Sequence, residues 1–196
     1  MQQRTRKTSV ATILAAAAIG SLVLSGCAGE PESAAPASDA VLASHDLDGL
    51  SAQQVIQQLD ATPLAERSAD LMASIRPDTL LLTDASGEET SIEMPADEFY
   101  VSIAPYVDQT HECFFHSLTT CKGELGNEEI NVQVIDDSGK TLVDESVQTY
   151  DNGFVGLWLP RDINGTITIE HQGRSVTDSI STGQDDPTCI TTLQLT

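Results

Sequence analysis

The stretch INVQVIDDSGKTLVDESVQTYDNGFVGLWLP, residues 130–160, decides the fold. Apolar and polar side chains alternate over residues 130–134, residues 154–160 are a short apolar run, and Asp137-Ser138-Gly139 and Asp151-Asn152-Gly153 separate the runs. Alternation with a period of two predicts β-strands with one buried face, and turn-forming residues at short spacing predict hairpins. The stretch therefore indicates an antiparallel β-domain.

The same pattern continues on both sides of this stretch. Turns are predicted at Asn164-Gly165 and Gln172-Gly173. We expect an antiparallel β-sandwich or barrel-like domain over residues 97–196, and its core is expected to include Phe154, Val155, Leu157 and Trp158. The predicted strands cover residues 98–106, 130–136, 140–150, 154–160, 165–172, 174–182 and 189–195.

Residues 46–96 have helical spacing at first and strand spacing later. A helix capped by Ser51 is predicted to carry Val55, Ile56 and Leu59 on one face. A second helix, ending at Pro77, is predicted with one apolar face formed by Leu64, Leu71, Met72 and Ile75. A hairpin of strands 79–83 and 90–94 follows. The fold class is therefore α+β, and because about fifty residues bury little surface, this unit is expected to form a homodimer.

The first 45 residues are typical of export. Residues 1–26 begin with Arg4, Arg6 and Lys7 and continue with an apolar run, which indicates a signal peptide. Residues 24–27, Leu-Ser-Gly-Cys, resemble a bacterial lipobox, which implies that Cys27 is lipidated and anchors the chain to a membrane. An ordinary signal peptide with an incidental cysteine is the alternative. Residues 27–45, rich in small and polar residues, are expected to be a flexible tether.

The charge of the chain excludes one large class of partners. The 196 residues include 9 Lys+Arg and 30 Asp+Glu, a formal net charge of -21. Nucleic-acid binding requires the opposite field, so no such partner is expected. The sequence also contains no Gly-rich phosphate loop, Gly-x-Ser-x-Gly or His-Glu-x-x-His motif. A binding protein outside the cytoplasm, in the periplasm or on the outer face of the membrane, is favoured over an enzyme.

The loop HECFFHSLTTC, residues 111–121, concentrates cysteine and histidine. If Cys27 carries lipid, Cys113, Cys121 and Cys189 remain, and an odd number of cysteines outside the cytoplasm leaves at least one thiol free. If the last predicted strand lies beside strand 98–106, all three sulfurs meet at one end of the sheet. We therefore expect a single sulfur cluster.

Three interpretations of this cluster stay open on spacing alone. Three thiolates suit monovalent copper, and His111 and His116 could complete the site or first receive divalent copper. Zinc is chemically allowed, although Cys-x₇-Cys lacks the short spacing of most structural zinc sites. A disulfide, Cys121–Cys189 or Cys113–Cys121 with a spare thiol, is the third interpretation. Thiolates could also reduce divalent copper and become a disulfide, which a reductant then reverses.

FYVSIAPYVDQTHECFFHSLTTCKGEL, residues 99–125, and DDPTCITT, residues 185–192, resemble the CueP family of exported bacterial copper-binding proteins. The resemblance covers essentially the whole chain from residue 47 onward. It implies copper as the ligand, with roles in copper resistance, in copper delivery to a superoxide dismutase or another cuproenzyme, and in reduction of divalent copper.

By position, the resemblance implies that Cys113, Cys121 and Cys189 bind the copper. His111 and His116 stand within the same motif, whereas His45 and His171 are assigned no role. The alternatives are a structural or adhesion lipoprotein stapled by a disulfide and a zinc-binding module.

Overall fold

The structure is a computed structural model, and it describes residues 37–196. Two short helices and a 3₁₀ turn precede all ten strands of the described residues, which confirms the expected α+β class. The helical elements are α1 (Ala37–Ser44), α2 (Ala52–Asp60) and the 3₁₀ turn Leu64–Glu66. The strands are β1 (Leu71–Ile75), β2 (Thr79–Asp84), β3 (Glu89–Glu93), β4 (Glu98–Ile103), β5 (Glu129–Asp136), β6 (Thr141–Gln148), β7 (Val155–Pro160), β8 (Asn164–His171), β9 (Arg174–Ser181) and β10 (Cys189–Ile190).

Helix α2 forms as the sequence predicts. The Ser51 hydroxyl accepts the backbone N–H of Gln54, and the Gln54 side chain accepts the N–H of Ser51, so the first turn has a capping box. Val55 and Ile56 are buried against the antiparallel sheet β1-β2-β3. These two side chains join helix α2 to an apolar cluster that it shares with the sheet.

The predicted second helix is wrong. Residues 71–75 form strand β1, which pairs antiparallel with β2, and Leu64–Glu66 makes only one 3₁₀ turn. Leu71 is buried whereas Met72 is 61% exposed, which is the period of a strand. Pairing with β2 satisfies the backbone of this segment, and that tertiary pairing overrides an apolar spacing that also fitted a helix.

The segment expected to be a flexible tether is partly folded. Ala37–Ser44 is helix α1, and Val41 and Leu47 are 1% and 0% exposed in the same apolar cluster as α2. Burial of these two side chains gives this segment a reason to order. Cys27 and the predicted signal peptide lie outside the described residues. No described helix has the length and apolar character needed to cross a membrane.

The β-domain consists of two sheets that share one core. The strand orders are β10-β4-β7 and β6-β5-β8-β9, and both sheets contribute side chains to a single apolar cluster. Phe99 and Val101 from the first sheet meet Val132 and Ile167 from the second. Of the residues expected in the core, Phe154, Val155 and Leu157 are buried, and Trp158 is half-buried against Tyr100. The expected sandwich is confirmed.

Two local details differ from the expectation. The predicted turn Asn164-Gly165 lies inside β8, and the chain reverses before it at Asp162, which has a positive φ of 57°. The last strand is short and pairs parallel with β4, with Cys189 opposite Ser102. It nevertheless lies beside β4, as the sequence suggested, and this position brings the end of the chain to the cysteine-rich loop.

Candidate metal centre

The three cysteines of the described chain meet in one place. Cys113 and Cys121 lie in the loop between β4 and β5, and Cys189 begins β10. Cys113 and Cys189 form a disulfide across 76 residues of sequence, with their Cα atoms 5.7 Å apart. The Sγ of Cys121, a free thiol, lies 3.6 Å from the Sγ of Cys113. The predicted convergence of sulfur atoms is present in the structure.

The disulfide joins Cys113 to Cys189 and therefore differs from both pairings considered from the sequence. The backbone N–H of Cys189 donates to the carbonyl of Phe114 at 3.1 Å, which fixes β10 against the residue after Cys113. The Cys121 sulfur instead accepts the backbone N–H of Ser117 at 3.3 Å, within its own turn. Tertiary hydrogen bonding therefore places Cys189, rather than Cys121, beside Cys113. The spacing of cysteines in the sequence does not predict this pairing.

His116 is held between the sulfur cluster and a buried carboxylate. Its side chain is 0% exposed, with Nδ1 3.7 Å from the Cys189 Sγ and Nε2 3.4 Å from Oδ1 of Asp60. Its N–H donates to the Thr188 hydroxyl, and its carbonyl accepts the N–H of Ile75 at 2.8 Å. The ring therefore directs one nitrogen at sulfur and the other at a carboxylate.

Asp60, the last residue of α2, is fully buried and hydrogen-bonded. It accepts the Tyr100 hydroxyl at 2.5 Å and the Asn152 amide at 3.2 Å. Burial raises the pKa of Asp60. The hydrogen bond and charge of His116 and the hydrogen bonds from Tyr100 and Asn152 together outweigh this effect, so the pKa lies below its ordinary value. Burial lowers the pKa of His116, and Asp60 and Cys121 more than reverse this and raise it. Both shifts favour the charged forms, the Asp60 carboxylate and the His116 imidazolium.

The environment of Cys121 favours its thiolate. Burial raises the pKa of this thiol, but His116, the backbone N–H of Ser117 and the charge of Arg67 together bring the pKa below its ordinary value. Arg67 also donates from Nη1 to the Cys121 carbonyl at 3.0 Å. The thiolate is the form of cysteine that binds metals, so this environment is compatible with Cys121 as a candidate ligand.

The five residues predicted as ligands lie in two overlapping groups. The outer group is His111, Cys113 and Cys121, and the inner group is His116, Cys121 and Cys189. Within each group the donor atoms lie within 4.8 Å of one another, and Cys121 belongs to both. His111 is exposed and His116 is buried, so the groups form the surface and the floor of one site. Sulfur and imidazole donors of this kind suit copper, and Cu(I) in particular.

Comparison with known proteins gives a family for this arrangement. The family model described as "Periplasmic copper-binding protein CueP" matches residues 54–194. The chain belongs to the CueP family. It is similar to a solved structure described as "Crystal Structure of S.CueP", with 37% sequence identity, a TM-score of 0.77, and coverage of 83% of this chain and 99% of that one. No curated protein matches.

Membership of the CueP family confirms the recognition made from the loop sequence, and the family is one of periplasmic copper-binding proteins. The region matched by the family model begins in α2, at residue 54, and includes Asp60. The sequence analysis did not identify Asp60 as a residue of the site. One signal was available, since Asp60 follows Ile56 by four residues and so lies on the apolar face of the helix. A carboxylate on a buried face requires a partner, and that partner is His116. Tyr100, Asn152 and Arg67 gave no comparable signal.

Proposed function

We propose that this CueP-family chain captures Cu(I) outside the cytoplasm through the thiolates of Cys113, Cys121 and Cys189. The observation that supports this is the meeting of all three sulfurs, with Cys121 3.6 Å from Cys113 and the other pair bonded. Reduction of that disulfide yields three thiolates in one pocket, and thiolates select monovalent copper. Cys113 is half-buried, so the pocket has an open side.

The two histidines have different roles in this proposal. His116 offers Nδ1 to the copper, while Asp60 holds Nε2 as carboxylates do in histidine–metal sites. Copper binding displaces the proton on Nδ1. His111, exposed in the outer group, is the first contact for incoming copper, including divalent copper, which imidazole accepts.

The thiols also supply electrons. Two Cu(II) ions each take one electron from the Cys113 and Cys189 thiols, which gives two Cu(I) ions, one disulfide and two protons. An external thiol reductant returns the disulfide to thiols. The disulfide in the structure is the oxidised product that this reaction predicts.

The membrane anchor and the partners belong to the same proposal. Lipid on Cys27 ties the chain to the membrane, residues 46–96 mediate homodimerisation, and residues 97–196 bind copper. The proposed purpose is copper resistance or delivery to a superoxide dismutase or another cuproenzyme. A Cys27→Ser variant is expected to lose incorporation of labelled palmitate and to leave the membrane fraction. Retained label would contradict the anchor alone.

The copper proposal is tested on purified residues 28–196, reduced and kept anaerobic. The chain is expected to bind about one Cu(I) in competition with a chromogenic Cu(I) chelator, and the variant with all three cysteines changed to Ser is expected to lose this binding. His171→Gln is the matched control for histidine loss, because His171 contacts Glu129 and Glu128, on β5 and just before it. Unchanged affinity in the triple variant would overturn the proposal.

The observed disulfide also supports a second candidate, a structural lipoprotein in which Cys113–Cys189 is a permanent staple. That candidate predicts resistance to mild reductants and no copper affinity at Cys121. Thiol alkylation and mass spectrometry, with and without copper, separate the two. Competition between zinc and Cu(I) tests the remaining alternative of a zinc module.

A further inference from the structure

We infer that the disulfide-bonded form of the chain still holds Cu(I), between the Sγ of Cys121 and the Nδ1 of His116. This inference rests on the proposed function and adds a second binding state to the same site. Oxidation removes Cys113 and Cys189 as thiolates but leaves Cys121, the free thiol of the described residues, in place. His116 is the histidine that shares the inner group with it.

The upper limit on the distance between these two donors is compatible with one copper ion bound between them. In the inner group, the Cys121 sulfur and the His116 ring nitrogen lie within 4.8 Å of each other. Metal–sulfur and metal–imidazole bonds of about 2.3 and 2.0 Å, the values for an ion the size of zinc, give a span of about 4.3 Å when the donors lie in line. Cu(I) accepts such two-donor binding. The pair therefore needs little rearrangement to take the ion.

Both donors are held by groups other than the sulfurs of Cys113 and Cys189. The Cys121 sulfur accepts the N–H of Ser117 at 3.3 Å, and Arg67 holds the Cys121 carbonyl at 3.0 Å. The His116 ring is fixed by Asp60 at Nε2 and packs on Phe154 with 4.6 Å between ring centres. Formation of the Cys113–Cys189 bond therefore leaves this pair assembled. His111 is exposed, its ring centre lies 6.2 Å from that of Phe154, and its ring makes no hydrogen bond to the described residues, so it is the weaker partner for Cys121.

The affinity for Cu(I) therefore depends on whether the Cys113–Cys189 disulfide is formed. The reduced chain offers three thiolates, and the oxidised chain offers one thiolate and one imidazole. Oxidation thus weakens the hold on Cu(I) without ending it, so copper is passed on from a loosely bound state. Binding in the oxidised state transfers no electrons, because the ion enters as Cu(I).

The test uses purified residues 28–196 with the disulfide verified by mass spectrometry. Oxidised wild type is expected to take about one Cu(I) from a chromogenic chelator, with an affinity below that of the reduced chain. Oxidised Cys121→Ser is expected to lose this binding, and oxidised His116→Gln to weaken it by at least about tenfold. His171→Gln is expected to bind as wild type does.

X-ray absorption on Cu(I)-loaded, oxidised wild type needs no variant and is expected to show one sulfur and one nitrogen neighbour. If the reduced chain binds Cu(I) but the oxidised chain binds no better than oxidised Cys121→Ser, this inference fails and the proposed function stands. If neither form binds, the proposed function itself fails. Two sulfur neighbours, or a larger loss in His111→Gln than in His116→Gln, would overturn the inference.

Discussion

Asp60 and His116 stand 56 residues apart in the sequence, yet Oδ1 of one and Nε2 of the other lie 3.4 Å apart with both side chains buried. Asp60 ends a helix of the N-terminal part and His116 lies in the cysteine-rich loop. The carboxylate therefore connects the packing of α2 to the orientation of a candidate copper ligand. The candidate site therefore includes a residue of the N-terminal part, although its three sulfur atoms all come from residues after 97.

Asp60→Asn is expected to destabilise the chain by about 3–5 kcal/mol, because it leaves His116 as a buried charge without its partner. Urea denaturation of the metal-free chain measures this. Asp48→Asn is the matched control: Asp48 is exposed and is expected to change the free energy of unfolding by less than about 0.5 kcal/mol. The Asp60→Asn, His116→Gln double variant is expected to cost less than the sum of the single variants. Additive costs would show that the two side chains do not act as a pair.

The same pair gives a pH dependence with a definite sign. The pKa of His116 is raised above 6.5, so its contribution to stability is complete below pH 6.5 and is lost as the pH rises through the higher folded-state value. The pKa of Asp60 is lowered below 3.8, so its contribution is present above pH 3.8 and is lost as the pH falls further. The pair therefore contributes most to the free energy of unfolding between pH 3.8 and pH 6.5.

Urea denaturation of metal-free, disulfide-bonded wild type at a series of pH values checks this dependence. Stability is expected to decline from pH 6.5 upward, and His116→Gln is expected to flatten that decline. His171→Gln, which leaves the pair intact, is expected to keep it. A decline that persists unchanged in His116→Gln would assign it to another group.

Cys121 is expected to react with iodoacetamide at a lower pH than an ordinary thiol, because its pKa is lowered by His116, Ser117 and Arg67 against the opposing effect of burial. The rate is measured by mass spectrometry on oxidised chain, in which Cys121 is the free cysteine of the described residues. His116→Gln is expected to move the pH profile upward. The same profile in both proteins would mean that His116 does not stabilise the thiolate.

Tyr100→Phe is expected to cost about 1.5–3 kcal/mol, since the Tyr100 hydroxyl donates to a charged carboxylate at 2.5 Å in the core. Tyr106→Phe is the matched control, because the Tyr106 hydroxyl makes no hydrogen bond to the residues that the structure describes. Thermal or urea unfolding gives both values. Equal effects of the two variants would show that the hydrogen bond to Asp60 contributes nothing net.

Local patterns in the sequence predicted the β-domain well because alternation and turn chemistry act over a few residues. Gly139, Gly153 and Gly173, in three of the predicted turns, have positive φ angles of 84°, 77° and 80°. The segment at Leu71 was assigned to the wrong element because its apolar spacing fits both periods. There the choice depends on pairing with β2, which local sequence does not encode.

In the candidate metal centre, too, the sequence predicted the features that depend on residue type and missed those that depend on long-range contacts. Residue type marked Cys113, Cys121 and Cys189 as candidates, and the adjacency of β10 to β4 brings the last of them to the loop. The disulfide partner and the buried Asp60 depend on contacts across 76 and 56 residues, and no short-range pattern specifies such contacts.

The beginning of the cysteine-rich loop is fixed by one carboxylate. Oε2 of Glu124 accepts the backbone N–H groups of Val107, Asp108 and Gln109 at 2.7, 3.0 and 3.2 Å. Burial raises the pKa of Glu124, but these three hydrogen bonds and the charge of Arg174 together outweigh it and leave the pKa below its ordinary value. The charged carboxylate thus holds three consecutive N–H groups, and one residue, Thr110, separates them from His111.

Glu124→Ala is therefore expected to speed hydrogen exchange at residues 107–109, and Glu124→Gln, which keeps one acceptor oxygen, to speed it less. Glu112→Ala is the matched control: Glu112 is exposed in the same loop and accepts no hydrogen bond from the described residues. Exchange mass spectrometry of a peptide covering the loop measures all three. If Glu124→Ala exchanges no faster than Glu112→Ala, the hydrogen bonds to the Glu124 carboxylate do not hold residues 107–109 in place.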